Sequence, residues 1–239
     1  MTTPLPDIRG NLQAVQDRIH RAATTARRNP NDIRLIAVSK YMTTAHITRA
    51  IEAGQHIFGE NTVQDAMTKL PLIQNPANEW HFIGHLQTNK AKYIPGNFSW
   101  FHTLDSIKLA RKLSIHAEAS GKRLKTLIQV NISDDPDKFG LQADRVFAFV
   151  DELLQTGLNG ISLHGLMTIG RRGSSDSERQ HDFSRLRKLR DSCAKRFGDT
   201  LFHELSMGMS NDFETAISEG ATMVRVGNAI FGPRPVTGS

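Results

Sequence analysis

The sequence predicts an α/β protein of the (β/α)8 TIM barrel class, with an extra N-terminal helix and no second domain. Three observations carry this reading. Eight short apolar runs alternate with amphipathic stretches of helical period, the pattern of parallel strands joined by crossover helices. The 239 residues match the roughly 250 that such a barrel uses. About a dozen residues follow the last apolar run, so a single unit over 1–239 is expected. A doubly wound open sheet is the rival architecture. It normally has fewer strands and often a glycine-rich first turn, which SKYMTT at 39–44 is not.

The N-terminal helix is expected over about 8–29, because Ile8, Leu12, Val15 and Ile19 recur at three- and four-residue steps until Asn29-Pro30 breaks the run. The barrel is expected over about 33–235. Its strands are placed at RLIAVS (34–39), HIFGE (56–60), WHFIGH (80–85), WFHTL (100–104), TLIQVNI (126–132), SLHGLMTI (162–169), HELSM (203–207) and MVRVG (223–227). Helical patterns fall between them at 44–53, 62–70, 86–92, 105–120, 142–156, 177–197 and 211–219. The polar insert RRGSSDS, 171–177, reads as a surface loop.

Composition narrows the function classes. With 38% apolar and 23% charged residues the chain reads as folded. No apolar run approaches the ~18–20 residues of a membrane span, and MTTPLPDIRGNLQ lacks a signal-peptide pattern. The single cysteine, Cys193, leaves no intramolecular disulfide and fits a reducing, cytoplasmic setting. A net charge of +6 suits an anionic ligand or a nucleic acid without deciding between them. Arg185, Arg187, Lys188 and Arg190 lie on a helix whose apolar stripe is Phe183, Leu186, Leu189 and Cys193; a solvated basic face is expected there rather than a nucleic-acid site. His81, His85, His102, His164 and His203 fall on or near different strands, without common zinc spacing. Hydrogen bonding in the core or at the rim is expected of them, with His164 a candidate to reach the barrel mouth near a ligand.

In a barrel of this class the chemistry sits at the carboxyl ends of the strands. Those ends carry Ser39-Lys40, Gly59-Glu60-Asn61, Gly84-His85, Asn131, Met167-Thr168, Ser206 to Ser210, and Arg225 to Asn228. In LSMGMSNDFETAI, Ser206, Gly208 and Ser210 stand two residues apart, and Ser210 or Asn211 is expected to cap the following helix. Backbone amides and hydroxyls there suit a phosphate. Strand eight closes against strand one, so Arg225 is expected beside Lys40. A strand-end lysine, an arginine and a phosphate cradle on adjacent strands together fit pyridoxal 5′-phosphate (PLP), which has an aldehyde for the amine, a phosphate, and a ring nitrogen tuned by its neighbour.

At this point the residues resemble the pyridoxal phosphate homeostasis protein family, whose members look like the barrel domain of alanine racemase without its β-domain. The matching segments are LIAVSK, FGEN, WHFIGHLQTNK, LIQVNIS, KFG, GLM, SMGMSNDFETAI and MVRVGNAIFG, in order over roughly 33–235. The resemblance implies a Schiff-base lysine at Lys40, cofactor-lining positions at Asn61, Met167 and Ser206, phosphate-binding positions at Ser210, Gly227 and Asn228, and an arginine facing the pyridine nitrogen at Arg225. One departure is visible: the family usually has threonine where this chain has Asn228, whose backbone N–H and side-chain amide are still donors.

An arginine against the ring nitrogen accepts no proton, so the ring is a weak electron sink. Related racemases add a second base from another domain. Tyr41 and Tyr93 are the only tyrosines, and Tyr41, beside Lys40, is expected to pack at the rim. The expectation is therefore a non-catalytic protein that holds PLP as an exchangeable Schiff base and buffers or delivers it within vitamin B6 homeostasis. PLP-dependent apoenzymes are the candidate recipients, and a monomer or weak dimer is expected, with no membrane. The alternative is a PLP-dependent amino-acid racemase.

Overall fold

The computed structural model describes residues 5–171 and 173–233. Among them, eight parallel strands close into a barrel in sequence order. They are β1 (Arg34–Val38), β2 (Ile57–Glu60), β3 (Glu79–Phe82), β4 (Trp100–Leu104), β5 (Leu124–Gln129), β6 (Ile161–Met167), β7 (Glu204–Ser206) and β8 (Met223–Val226). The helices are α1 (Ile8–Thr25), α2 (Thr44–Glu52), α3 (Val63–Lys69), α4 (Ile107–Ala119), α5 (Val146–Gln155), α6 (Asp176–Phe197), α7 (Phe213–Ser218) and α8 (Asn228–Phe231). Strand β8 pairs with β1 in the register Ile36 to Arg225 and Ala37 to Val226, which closes the barrel. The end of the expected barrel at 234–235 and Arg172 of the expected loop lie outside the described residues.

Alternation along the strands sorts the apolar residues into two cores. Ile36, Trp100, Leu127, Met167 and Met223 pack together inside the barrel, with Ile57 against them. The much larger cluster lies between the strands and the helices, and includes Ala37, Phe58, Phe82, Phe101, Ile128 and Val224. Gly59 belongs to the inner set, since a Cβ there would lie 2.9 Å from the Ile36 side chain. Where aliphatic side chains normally fill such an interior, this barrel also buries Ser206, His81, His102 and Arg225.

Helix α1 begins at Asp7, whose carboxylate accepts from Gly10 N at 3.0 Å. Its stripe of Ile8, Leu12, Val15, Ile19 and Ala23 is buried, and it packs on α2, α7 and α8. Burying each large aliphatic side chain contributes about 1.5–3 kcal/mol. The helix stops at Thr25, short of the expected 29. Arg27 takes φ +56°, and the proline at 30 pushes Asn29 to an extended conformation (ψ 122°).

Two other expectations change. Segment 86–92 forms a 3-10 helix over Thr88–Tyr93, with no side-chain cap at Gln87 and with Pro95 immediately beyond Ile94. The last three residues of the expected 171–177 loop belong to helix α6 and its cap: Ser175 is the N-cap in a capping box with Glu178, and Ser174 before it is buried.

Candidate functional site

The eight expected site residues fall at the carboxyl ends of β6, β7, β8, β1 and β2, which are consecutive neighbours around the closed barrel. They form one arc rather than a ring. Lys40 stands two residues past the end of β1 and is half-buried.

Both peptide groups flanking Lys40 are held by α3. Lys69 Nζ donates to the Ser39 carbonyl oxygen at 3.0 Å, and Asp65 Oδ2 accepts from Tyr41 N at 2.9 Å. Tyr41 sits at φ +64°, a left-handed backbone that a bulky residue rarely adopts, and the Asp65 bond holds it there. Tyr41 is 48% exposed, which places it at the rim. Lys69 is only 4% exposed; it also pairs with Glu60 at 2.7 Å and Asp65 at 2.8 Å. Ser39 Oγ donates to Glu60 Oε1 at 2.6 Å. Burial pushes the Glu60 carboxyl up to about 7 against the opposing pull of Lys69. Among the described residues, Glu60 Oε2 and Asn61 Oδ1 are buried without a hydrogen-bond partner.

Sequence reasoning missed Lys69, Asp65 and Glu60 as supports of Lys40. The Asp65–Lys69 spacing of four was a signal, since such pairs meet on one helix face, but most such pairs are exposed.

Arg225 departs from expectation. Its Cα is level with Ile36, not Lys40, and its guanidinium runs across to β6 and β7. Nη1 donates to Ser206 Oγ and Nη2 to the Thr168 carbonyl, both at 2.7 Å. Burial lowers its pKa to about 10, opposed by the Asp212 carboxylate, so it stays cationic near neutrality. Met167 ends β6 inside the inner apolar cluster.

The SMGMS loop is closed differently from its expected form. Asp212, not Ser210 or Asn211, is the N-cap residue of α7, and it makes no side-chain cap; its carboxylate instead turns back to accept from Met209 N at 2.6 Å. Gly208 takes φ +92°, and a Cβ there would lie 2.6 Å from that of Ala216, so only glycine fits. Arg225 N donates to the Gly208 carbonyl at 3.0 Å, which ties this loop to β8. Ser210 is half-buried in the loop, Gly227 is half-buried at the N-cap of α8, and Asn228 is exposed in its first turn.

His81, His102, His164 and His203 divide between the barrel interior and its amino-end mouth. His81 and His102 are fully buried and hydrogen-bonded to each other at 2.8 Å. His164 does not reach the carboxyl-end mouth. It lines a cavity of about 460 Å³ with Arg34, Trp100, Lys125, His203 and Glu204 at the opposite mouth. Among the described residues no group of three or more His, Cys, Asp or Glu is placed to hold a metal ion. No described helix is long and apolar enough to cross a membrane. On the basic helix, Arg185 pairs with Asp134, Arg187 with Glu219 and Arg190 with Asp191, so much of its charge is already neutralised.

Comparison with known proteins adds four findings. Residues 10–235 match the family model described as alanine racemase, N-terminal domain. A pyridoxal phosphate homeostasis protein of Escherichia coli is 41% identical over 237 residues, covering 95% of this chain and 97% of its own. The structure of PipY from Synechococcus elongatus with PLP bound is 37% identical, with a TM-score of 0.80, and covers 90% of this chain and 100% of its own. Alanine racemase of Clostridium difficile shares the fold at a TM-score of 0.72 and 15% identity; this chain spans 58% of it.

Proposed function

We propose, from the premise that this chain belongs to the pyridoxal phosphate homeostasis protein family, that it binds pyridoxal 5′-phosphate on the β6–β7–β8–β1–β2 arc and carries it on the Lys40 amine. Its role is to hold and release the cofactor within PLP homeostasis, without robust turnover of its own. The observation that carries this reading is a half-buried lysine, fixed on both sides at the end of β1, beside an arc of hydrogen-bond donors on adjacent strands.

The residues present fit the group. Lys40, Arg225, the Ser210 hydroxyl and the Asn228 amide are donors that match an anionic phosphate and an acceptor ring nitrogen. The buried, unpartnered Asn61 Oδ1 is an acceptor for which a bound ligand would supply a donor. When bound, the cofactor supplies an aldehyde that condenses with a primary amine and releases water.

The remaining work belongs to the chain. Lys69 and Asp65 hold the backbone on either side of Lys40, so the amine is presented from a fixed position. In this reading Ser210, Gly227 and Asn228 hold the phosphate, and Asn61, Met167 and Ser206 line the site. Arg225 faces the ring nitrogen and, being a donor at neutral pH, leaves it unprotonated. Tyr41, the tyrosine adjoining Lys40, is half-exposed and is assigned no proton transfer. Asn228 stands in for the family's threonine by donating from its backbone and amide.

The test is an absorbance spectrum of the purified protein with PLP, then borohydride reduction and peptide mapping. A pyridoxyl group on Lys40, lost in Lys40→Ala, is expected. A stable adduct on another residue overturns the assignment. Steady racemisation or deuterium exchange at the α-carbon of amino acids, at ordinary enzyme rates, overturns the carrier role.

A further inference from the structure

The barrel interior holds a row of side chains that starts from Arg225 and Ser206 of the proposed site and runs beyond it. Arg225 Nη1 donates to Ser206 Oγ at 2.7 Å, and Ser206 Oγ lies 2.9 Å from His102 Nδ1. His102 Nε2 lies 2.8 Å from His81 Nδ1, and His81 Nε2 lies 2.7 Å from Glu79 Oε1. The row crosses from β8 through β7 and β4 to Glu79, the first residue of β3 and so at the amino end of the barrel. Ser206 and both imidazoles are fully buried, so their polar atoms have to be satisfied within the row.

The far end sets the order of the protons. The hydrogen bond from His81, with Lys125 and Arg34 near, holds the Glu79 carboxyl below its ordinary range. A carboxylate only accepts, so His81 Nε2 carries the hydrogen. Burial holds both imidazoles below their ordinary range, and they are neutral. His81 Nδ1 therefore has a lone pair, His102 Nε2–H donates to it, and His102 Nδ1 accepts from the Ser206 hydroxyl. The lone pairs of Ser206 are then left for Arg225. In the reverse order the Ser206 oxygen would accept from both His102 and Arg225, leaving its own hydrogen without an acceptor in the row, and His81 Nε2 would set a lone pair against the carboxylate.

We propose that Glu79, His81 and His102 are positioning residues: they fix the direction of the Ser206 hydroxyl and, through it, the orientation of the Arg225 guanidinium in the cofactor site. The identity of the ligand rests on the reading above; the proton order does not. The side-chain nitrogens of Arg225 are shared between Ser206 and Thr168, and this row secures the Ser206 side.

The test uses the full chain labelled with ¹⁵N at histidine, with two-bond nitrogen–hydrogen spectra recorded at pH 7 without ligand. His81 and His102 are assigned through their backbone spin systems. Both are expected as Nε2–H tautomers; an Nδ1–H or doubly protonated ring at either position overturns the proposal. In Glu79→Gln the amide offers both donor and acceptor, so mixed tautomers are expected at both rings. PLP affinity in that variant is expected to fall about two- to tenfold, the worth of one neutral hydrogen bond. Unchanged tautomers or unchanged affinity in folded Glu79→Gln also overturns the proposal. Nε2–H tautomers in a wild-type protein that binds no PLP would support the row and overturn the ligand reading alone.

Discussion

Lys69 reaches from the end of α3 to the carbonyl oxygen of Ser39 at 3.0 Å while pairing with the fully buried Glu60 at 2.7 Å. A second lysine, itself buried, thus holds the backbone that presents Lys40.

Lys69→Met is expected to destabilise the protein by about 3–5 kcal/mol at pH 8, where Glu60 is ionised, because it leaves that charge buried without its partner. The double variant Lys69→Met with Glu60→Leu should recover most of that loss, since a buried pair is often replaceable by apolar groups of similar volume. Urea denaturation measures both. The double variant should still bind PLP more weakly than wild type, because the Ser39 carbonyl has lost its anchor.

Glu60 also makes stability depend on pH in a stated direction. Its folded pKa of about 7 lies above the ordinary 4.5, so between those values the native state holds more protons than the unfolded one. That contribution is fully present below pH 4.5 and is lost as pH rises through 7, by up to about 3 kcal/mol. Denaturation midpoints measured from pH 4.5 to 8 should therefore decline more steeply in wild type than in Glu60→Gln. Equal slopes would show that Glu60 titrates normally.

Gly84→Ala tests how tightly the β3 loop packs on Asn61. A Cβ at this position would lie 1.9 Å from the Asn61 carbonyl oxygen, and neither backbone can yield cheaply. A loss of at least about 1–3 kcal/mol is expected, together with weaker PLP binding as Asn61 shifts. A variant with wild-type melting temperature and affinity would contradict the packing.

Arg225→Lys keeps the charge and loses the fork. Lysine cannot serve Ser206 Oγ and the Thr168 carbonyl together as the guanidinium does at 2.7 Å each. A buried acceptor left unpaired costs about 1–3 kcal/mol. The expected outcome is a lower urea midpoint and a shifted absorbance band for the bound cofactor.

The strand ends were legible because they concentrate what a core excludes: Lys40 after RLIAV, Ser206 to Ser210 after EL, Arg225 between valines. Periodicity also located the strands, though β3 stops at Phe82 where the apolar run continues to Ile83. Lys69 was not legible, since a lysine closing a short amphipathic helix usually points to water, and its burial depends on Glu60 from a different element. His81 and His102 could be assigned to the interior by alternation, yet their pairing needs the register of His81 against Trp100. The cap of α7 was missed because Ser210, Asn211 and Asp212 are all good capping types, and the Asp212 carboxylate is spent on Met209 N in the loop and not on the helix.

The arc has one more implication. Because the proposed ligand contacts use strands β6 through β2, the loops after β3, β4 and β5 face the same mouth without a share in holding the ligand, the close seat of Asn61 on Gly84 excepted. Phe139, 56% exposed and stacked on His85 at 3.7 Å, belongs to that half. This half braces the site from outside: Thr168 Oγ1 donates to the Val130 carbonyl at 2.8 Å and Arg171 to the Ser133 carbonyl at 2.6 Å. The molecule is in this sense two hemispheres, one that would touch the ligand and one that braces it.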